Sequence, residues 1–190
     1  MSAVPQIKYL TPEEYLAIER KAEFKSEYVD GVMYAMAGGS PQHNSVSVNI
    51  LTLINLHLWE SPCKVFNSEM KVRVPSSRKY HYPDVTIVCE KPEYADDEKD
   101  VLLNPLLIVE VLSKSTQGYD KGKKFLYYQE IDSFREYLLV AQDQPVVQHY
   151  VRQPDGSWIY KKIEGLEQSV ELTTINYQLK LKDIYAKALD

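Results

Sequence analysis

Cysteine is scarce in this sequence, which contains Cys63 and Cys89. Two cysteines this far apart form neither a zinc motif nor a disulfide framework, so we expect reduced thiols, with Cys89 buried in the core. The segment 1–6 lacks the charged-then-apolar pattern of a secretory signal. No apolar run approaches the roughly 20 residues that span a membrane. We therefore expect a cytoplasmic protein with no membrane partner.

Several enzyme motifs are also missing. The sequence has no Gly-rich phosphate loop, no dinucleotide fingerprint and no Gly-x-Ser-x-Gly elbow, which argues against nucleotide-cofactor and serine-nucleophile enzymes. The net charge of −5 gives no overall argument for nucleic-acid binding. Basic residues nevertheless cluster along the chain, so the fold could still present a basic face. The segment 90–100 is acidic and suggests a solvated loop. The clustered residues are Lys64, Lys71, Arg73, Arg78 and Lys79, and then Lys114, Lys121, Lys123 and Lys124.

Length and periodicity predict one α/β domain. With 190 residues, 44% of them apolar, the chain can bury a real core in a single domain, residues 1–190. Alternating helix and strand patterns predict a mixed central β-sheet flanked by helices, with a C-terminal β-hairpin. The predicted helices are 11–21, one carrying Val46 to Leu58, 119–131 and 182–189. The predicted strands are a hairpin within 24–36, then 64–74, 83–89, 106–112, 135–141, 146–152 and 157–163.

The most informative pattern is a pair of apolar runs that each contain one carboxylate. Asp84 lies in the run 82–88, and Glu110 lies in the run 106–112. Carboxylates are disfavoured in strands, and burying one without a partner costs several kcal/mol. Two of them in core strands therefore favour a bound cation, and a hard divalent ion takes oxygen ligands.

Strand alternation assigns each carboxylate to a face of the sheet. Asp84 shares a face with Thr86, and Glu110 shares a face with Leu112. If the two strands are neighbours, the carboxylates converge, and the carbonyl of Val111 can serve as a third oxygen ligand. We predict Mg²⁺ as the cofactor, with Mn²⁺ as the alternative ion, and phosphodiester hydrolysis as the reaction.

Such hydrolysis also needs a cation beside the attacking water or the transition state. Lys124 is the natural candidate because its helix follows the second carboxylate strand and its neighbours Phe125 and Leu126 suggest a face turned to the sheet. The alternative is a solvated lysine within the charged run 121–124, since most lysines are exposed.

These residues resemble a known family. Asp84, the runs 110–113 and 115–116, Asp120, Lys124 and the run 136–138 are similar to the Uma-type restriction-endonuclease family of the PD-(D/E)XK nuclease superfamily. The resemblance extends from Glu27 to about Ile163. It implies that Asp84 and Glu110 are metal ligands and that Lys124 is the catalytic lysine. The sequence departs from the superfamily at Leu112, where the usual lysine would stand.

Further candidates come with alternatives. The resemblance implies that Glu27 completes the acidic site, but it could equally be a strand-end carboxylate beside Lys25. Asp120 could cap a helix or contact substrate, and Ser113 and Thr116 could bind phosphate or shape a loop, which we favour.

The four histidines have different expected roles. His43 matches a family histidine and could approach the site or cap its helix. His81 stands at an odd offset from Asp84, which would place it on the opposite strand face, so it is set aside. His57 is expected to be structural, and His149 has no chemical group near it in the sequence.

Together these observations predict a Mg²⁺-dependent endonuclease that acts on nucleic acid, DNA in particular, and forms a homodimer. The catalytic residues are Asp84, Glu110, Lys124 and Glu27, with Val111 as a further metal ligand. Two alternatives remain open: a nucleic-acid-binding protein that retains the fold without cleavage, which the net acidity favours, and a homo-oligomeric interaction protein, which the 15 tyrosines permit.

Overall fold

The structure, a computed structural model, describes residues 9–75, 78–113 and 116–189. Its helices are α1 (Pro12–Glu19), α2 (Pro41–His57), α3 (Gln117–Tyr119), α4 (Phe125–Tyr128) and α5 (Leu181–Ile184), with a π-helical turn (Asp120–Lys124) joining α3 to α4. Its strands are β1 (Ser26–Val29), β2 (Val32–Ala35), β3 (Lys64–Asn67), β4 (Lys71–Val74), β5 (Lys79–His81), β6 (Val85–Val88), β7 (Val101–Leu102), β8 (Leu107–Leu112), β9 (Glu136–Ala141), β10 (Val146–Arg152), β11 (Trp158–Glu164), β12 (Ser169–Leu172) and β13 (Tyr177–Lys180).

The strands form a mixed central sheet and a second, smaller layer. The central sheet has six strands in the order β11-β10-β9-β8-β6-β3, and its β8–β9 pair is parallel. The second sheet has five strands in the order β2-β1-β5-β4-β7, and β12 pairs with β13 separately. The mixed α/β fold with a C-terminal hairpin, β10–β11, is confirmed. The second sheet was not predicted.

Local sequence signals account for the first elements. Thr11 and Glu14 form a capping box at the start of α1, with Pro12 in the first turn. Asp30 and Gly31 turn β1 into β2 with φ angles of 48° and 98°. That left-handed conformation suits an Asp-Gly hairpin turn.

The central sheet has a hydrophobic core on each face. On one face, Val46, Ile50 and Ile54 of α2 pack with β6 and β8 side chains and with α5. On the other face, Phe125 and Tyr128 of α4 pack with β9 and with side chains of the second sheet. Full burial of each such side chain stabilises the fold by about 1.5–3 kcal/mol. Both faces of β8 are therefore covered, which is why its one polar residue, Glu110, needs partners.

The predicted strand 64–74 is wrong, because the chain turns in its middle. Asn67 accepts hydrogen bonds from the backbone of Glu69 and Met70, an Asx-type turn. The turn sends β3 to the central sheet and β4 to the second one. The predicted helix 119–131 is also replaced by three short helical pieces that end at Tyr128.

A buried carboxylate ties the C-terminal region to the sheet. Glu136 of β9 accepts hydrogen bonds from His149 at 2.6 Å and from the backbone of Thr173 and Thr174, each at 3.1 Å. His149, which the sequence left without a chemical neighbour, thus has one. Beyond β10, strand β11 forms an edge of the central sheet and exposes Lys161 and Lys162.

The cysteines correct the expectation of reduced thiols. Cys63 and Cys89 form a disulfide across 26 residues of sequence. Lys64 pairs with Val88 between β3 and β6, so the residues just beyond that pair face each other. Because disulfides are uncommon in the cytosol, this bond bears against the cytoplasmic location, which remains a prediction.

In the described part of the chain, no helix is both long enough and apolar enough to cross a membrane.

We expect Cys63→Ser to lower the free energy of unfolding by about 2–4 kcal/mol under oxidising conditions, because the disulfide restricts the unfolded chain. Urea unfolding of the wild type and the variant measures the difference. Adding a reductant should bring the wild type to the value of the variant, whereas the Cys63→Ser/Cys89→Ser double variant should not respond. Two titratable thiols in the native, unreduced wild type would contradict the bond.

Asp100 gives a pH-dependent contribution to stability. The Asp100 carboxylate accepts hydrogen bonds from Arg20 at 2.7 Å and from Lys71 at 2.8 Å, so the supposed solvated loop is partly anchored. Arg20 first, and then Lys71, hold the pKa of Asp100 well below its usual range. A lowered folded-state pKa stabilises the protein above the unfolded value, about 3.9, and this contribution is lost as the pH falls below it.

Asp100→Asn should therefore lower the free energy of unfolding by about 1 kcal/mol at pH 7, and by less at pH 3. Urea unfolding at both pH values tests this. Asp97→Asn, at an exposed position of the same loop, is the matched control and should change little. A loss for Asp100→Asn that does not depend on pH would contradict the ion pairs.

Candidate active site

Two strands bring the predicted carboxylates together. Asp84 stands immediately before β6, not within it, and Glu110 lies in the middle of β8. Val85 pairs with Val109, so the antiparallel register places Asp84 opposite Glu110. The Asp84 Oδ2 atom accepts a hydrogen bond of 2.7 Å from the backbone N–H of Val111, which fixes the carboxylate against β8.

Lys124 lies at the centre of an acidic cluster. Its Nζ atom is 2.9 Å from Glu27 Oε1, 2.9 Å from Glu110 Oε1 and 3.6 Å from Asp120 Oδ1. The residue is only 4% exposed. The interpretation of Lys124 as a solvated lysine is therefore wrong. The π-helical turn aims both Asp120 and Lys124 at the sheet, and such turns are frequent at functional sites.

Acidic groups outnumber the cations in this cluster. Burial, with the nearby charges of Asp120 and Asp84, raises the pKa of Glu110 well above its usual range despite the opposing effect of Lys124. Burial opposes the charge on Lys124, but Glu110, Glu27 and Asp120 together raise its pKa well above the ordinary value. Burial likewise raises the pKa of Asp120. The cluster thus favours additional positive charge.

Glu27 reaches the cluster from the second sheet. It does not pair with Lys25, which binds Glu69 instead. Burial opposes its ionisation, but Lys124 and then His81 lower the pKa of Glu27 well below its usual range. Glu27 also accepts a hydrogen bond of 3.3 Å from the backbone N–H of Tyr82. Glu27 therefore lies beside Lys124, and its role in the site remains a prediction.

His81 lies at the site, although the parity argument placed it on the opposite strand face. Its Nδ1 atom lies 3.2 Å from Glu27 Oε2, and the ring is fully buried. Burial lowers the pKa of His81, which favours the neutral ring. The parity argument failed because β5 ends at His81 and β6 starts at Val85 in a different sheet. The register between β1 and β5 places His81 opposite Glu27. The sequence does not reveal this pairing, because β5 has only three residues.

Tyr128 is a second residue that sequence reasoning did not assign to the site. Its hydroxyl donates a hydrogen bond of 3.0 Å to Glu110 Oε1, and the ring is fully buried. Burial raises the pKa of Tyr128 well above its usual range, so the hydroxyl keeps its proton. Tyr128 cannot stack on nucleic-acid bases, but it can hold Glu110 in position.

His43 approaches the carboxylates from α2. The helix is capped by Ser40, which accepts a hydrogen bond from the backbone N–H of His43, so His43 is not itself the cap. Its Nε2 atom lies 3.4 Å from Asp84 Oδ2. The hydrogen bond to Asp84 is the main cause that raises the pKa of His43, and the backbone of Val111 contributes in the same direction.

The remaining candidates have structural contacts. Asp120 is not a helix cap, because it lies inside the helical segment and faces Lys124. Ser113 and Thr116 hydrogen-bond each other at 3.0 Å, which fits the loop interpretation. Ser115 and Lys114 lie outside the described residues. His57 bonds the carbonyl of Ile175 at 3.0 Å, away from the site, as expected.

The donor atoms suit a hard divalent ion in part. Asp84 and Glu110 provide two carboxylates, and the contacts described for them use Asp84 Oδ2 and Glu110 Oε1. This leaves Asp84 Oδ1 and Glu110 Oε2 available as ligands. Over the described ranges, no group of three or more His, Cys, Asp or Glu side chains is arranged to hold a metal. Two carboxylates and one carbonyl nevertheless fit an ion that retains several waters.

The mixed sheet, with two opposed carboxylates and a buried helix lysine, defines a restriction-endonuclease-like α/β protein. A solved chain from Anabaena variabilis ATCC 29413, described as "a putative nuclease belonging to DUF820", shares this fold with a TM-score of 0.78. The two are 16% identical, and the match covers 95% of this chain and 99% of that chain.

The chain belongs to the Uma2 family, described as "Putative restriction endonuclease", whose family model matches residues 12–182. Two relatives come from Synechocystis sp. (strain ATCC 27184 / PCC 6803 / Kazusa). The uncharacterized protein sll1609 is 36% identical over 91% of this chain and 98% of its own length. The uncharacterized protein slr1290 is 35% identical over 93% of this chain and 91% of its own length. The family recognised from the sequence is confirmed.

We expect Lys124→Met to lower the free energy of unfolding by about 3–5 kcal/mol at pH 7, because it leaves Glu27, Glu110 and Asp120 without their shared cation. Urea unfolding measures the loss. Lys123→Met is the matched control, since Lys123 is exposed on the same turn. If both variants unfold at the same urea concentration, the ammonium does not compensate the cluster as described.

Proposed function

We propose that this protein is a divalent-metal-dependent nuclease that hydrolyses phosphodiester bonds in nucleic acid, DNA in particular. The observation that carries the proposal is the excess of carboxylates around Lys124, since Glu27, Glu110 and Asp120 all lie within 3.6 Å of its ammonium. A fold that needed only internal stability would not retain so many like charges, since burying them is costly. A site that binds a metal cation needs such carboxylates as ligands, and the bound cation can then hold a phosphate of a polyanionic substrate.

Asp84, Glu110 and the carbonyl of Val111 would hold the ion, Mg²⁺ or Mn²⁺. When bound, the ion supplies an activated water and neutralises charge on the phosphate. Lys124 orients that water and stabilises the negative charge that develops in the transition state. Glu27 and Tyr128 keep Lys124 and Glu110 in position through their hydrogen bonds. His81, whose Nδ1 atom lies 3.2 Å from Glu27 Oε2, helps to hold Glu27 in place.

The basic surface available to DNA is smaller than the sequence suggests. Lys71 is buried on Asp100, and Lys79 is buried 3.4 Å from Asp30, so neither offers a free charge. Lys123 is exposed and Lys121 is partly exposed on the turn that carries Lys124. We place the phosphate backbone on this side of the site. A homodimer belongs to the proposal as well, whereas the cytoplasmic location stays a prediction that the Cys63–Cys89 disulfide opposes.

Asp84→Asn and Glu110→Gln should each reduce cleavage of double-stranded DNA by at least about a hundredfold in the presence of Mg²⁺ or Mn²⁺, because each removes an ionic ligand. Gel assays with single- and double-stranded DNA and with RNA measure the rates. Glu69→Gln, which changes a carboxylate that is 75% exposed and lies outside the acidic cluster, is the control and should cleave like the wild type.

The same assay separates the proposal from its alternative. Cleavage that persists in both site variants would refute the assigned ligands. Salt-dependent DNA binding by the wild type without cleavage in either ion would refute the nuclease and support a nucleic-acid-binding protein.

A further inference from the structure

We propose that the C-terminal hairpin β10–β11 carries a stacking surface that guides single-stranded nucleic acid to the candidate active site, so that the protein favours single strands over duplexes. This inference rests on the proposed nuclease function and adds a substrate class to it. The surface, called the hairpin platform below, consists of Tyr150, Arg152, Trp158, Tyr160 and Lys162.

The register of the hairpin brings the platform together on one face of the sheet. Tyr150 lies opposite Tyr160, and Arg152 lies opposite Trp158. Lys162 shares this face, because side chains two residues apart in a strand point the same way. The ring centroids of Tyr150 and Tyr160 are 4.9 Å apart, and the Arg152 guanidinium lies 5.9 Å from the centroid of the Trp158 ring. The platform thus combines aromatic rings with positive charge.

The hairpin platform is continuous with the helical segment of the candidate site. Phe125 directly follows Lys124 in the chain, and its ring centroid lies 4.6 Å from that of Tyr150 and 5.1 Å from that of Trp158. These three aromatic residues belong to the hydrophobic core on the face of the central sheet that α4 covers. A strand of nucleic acid that lies on the platform therefore leads toward the turn with Lys123, where we placed the phosphate backbone.

Tyr160 is the platform ring that an incoming base can reach most easily. It is 49% exposed, whereas Phe125 is buried beneath the platform and Tyr128 is buried at Glu110. Any unpaired base can stack on an exposed aromatic ring, whatever the sequence. In a duplex the bases are already paired and stacked, and taking one out costs free energy. An exposed ring on a sheet surface therefore favours single strands.

The charges of the hairpin platform suit a phosphate backbone. Arg152 and Lys162 stand on opposite sides of the Tyr150–Tyr160 pair. A guanidinium can hold a phosphate through two hydrogen bonds. Lys162 forms an ion pair with Glu164, but both side chains are about half exposed, and exposed pairs contribute little free energy. Lys162 can therefore exchange this carboxylate for a phosphate at low cost.

Binding of the full chain to a labelled oligothymidylate tests this, with a duplex of the same length for comparison and a chelator to prevent cleavage. Fluorescence anisotropy should show that the wild type binds the single strand more tightly. Tyr160→Ala should weaken single-strand binding by at least about fivefold and duplex binding by less than about twofold, because a stacking ring is lost. Tyr160→Phe, which keeps the ring, should bind like the wild type.

Ile159→Ala is the matched control, since Ile159 is 47% exposed on the same strand but points to the opposite face. It should retain the single-strand affinity. Ultraviolet cross-linking of the wild type to a single strand that contains iodouracil needs no variant, and it should map to Tyr160.

The outcomes separate this inference from the proposed function. Equal losses for Tyr160→Ala and Ile159→Ala, an unchanged affinity of Tyr160→Ala, or cross-links only outside the hairpin overturn the platform. If the wild type still cleaves DNA with Mg²⁺ or Mn²⁺ in that case, the nuclease stands without it. If the loss is specific to Tyr160 but neither ion supports cleavage, the platform stands as a binding surface and the proposed hydrolysis fails.

Discussion

The ion pairs of Lys124 are the interaction on which the rest of the structure depends. Glu27 comes from the second sheet, Glu110 from the central sheet, and Lys124 from the helical segment that covers them. One buried ammonium thus fixes three parts of the chain in relation to one another. Burying charges is costly unless each has a close partner, so none of the three parts can shift without exposing an unpaired charge. Stability and the candidate chemistry share the same contacts.

The sequence predicted the elements that have strong local signals. The capping box of Thr11 and Glu14, the Asp30-Gly31 turn and the strands around Glu110 all follow from short-range patterns that the structure reproduces. The second sheet was missed because β5 and β7 have three and two residues, too few to show a period. The turn at Asn67 was missed because the alternation of Met70, Val72 and Val74 after it resembles one continuous strand that starts at Lys64.

The sequence predicted those parts of the site that one pair of strands brings together. It did not predict the parts that depend on pairings between distant strands. Asp84 and Glu110 could be matched by strand parity, and Lys124 followed from its place on the helix after the second carboxylate strand. Family resemblance supplied Glu27, and the functional roles of these residues remain predictions. His81 joins Glu27 only through the β1–β5 register, and Cys63 meets Cys89 only through the β3–β6 register. Such contacts depend on which strands become neighbours, and periodicity carries no information about that.

Strand β11 has a consequence for how copies of this protein can associate. An open sheet edge presents unpaired N–H and C=O groups that can recruit a strand from another molecule. Adjacent Lys161 and Lys162 are exposed on this strand, and Lys162 forms an ion pair with Glu164, so the edge is lined by charged side chains. These charges therefore discourage a strand of another molecule from pairing with this edge.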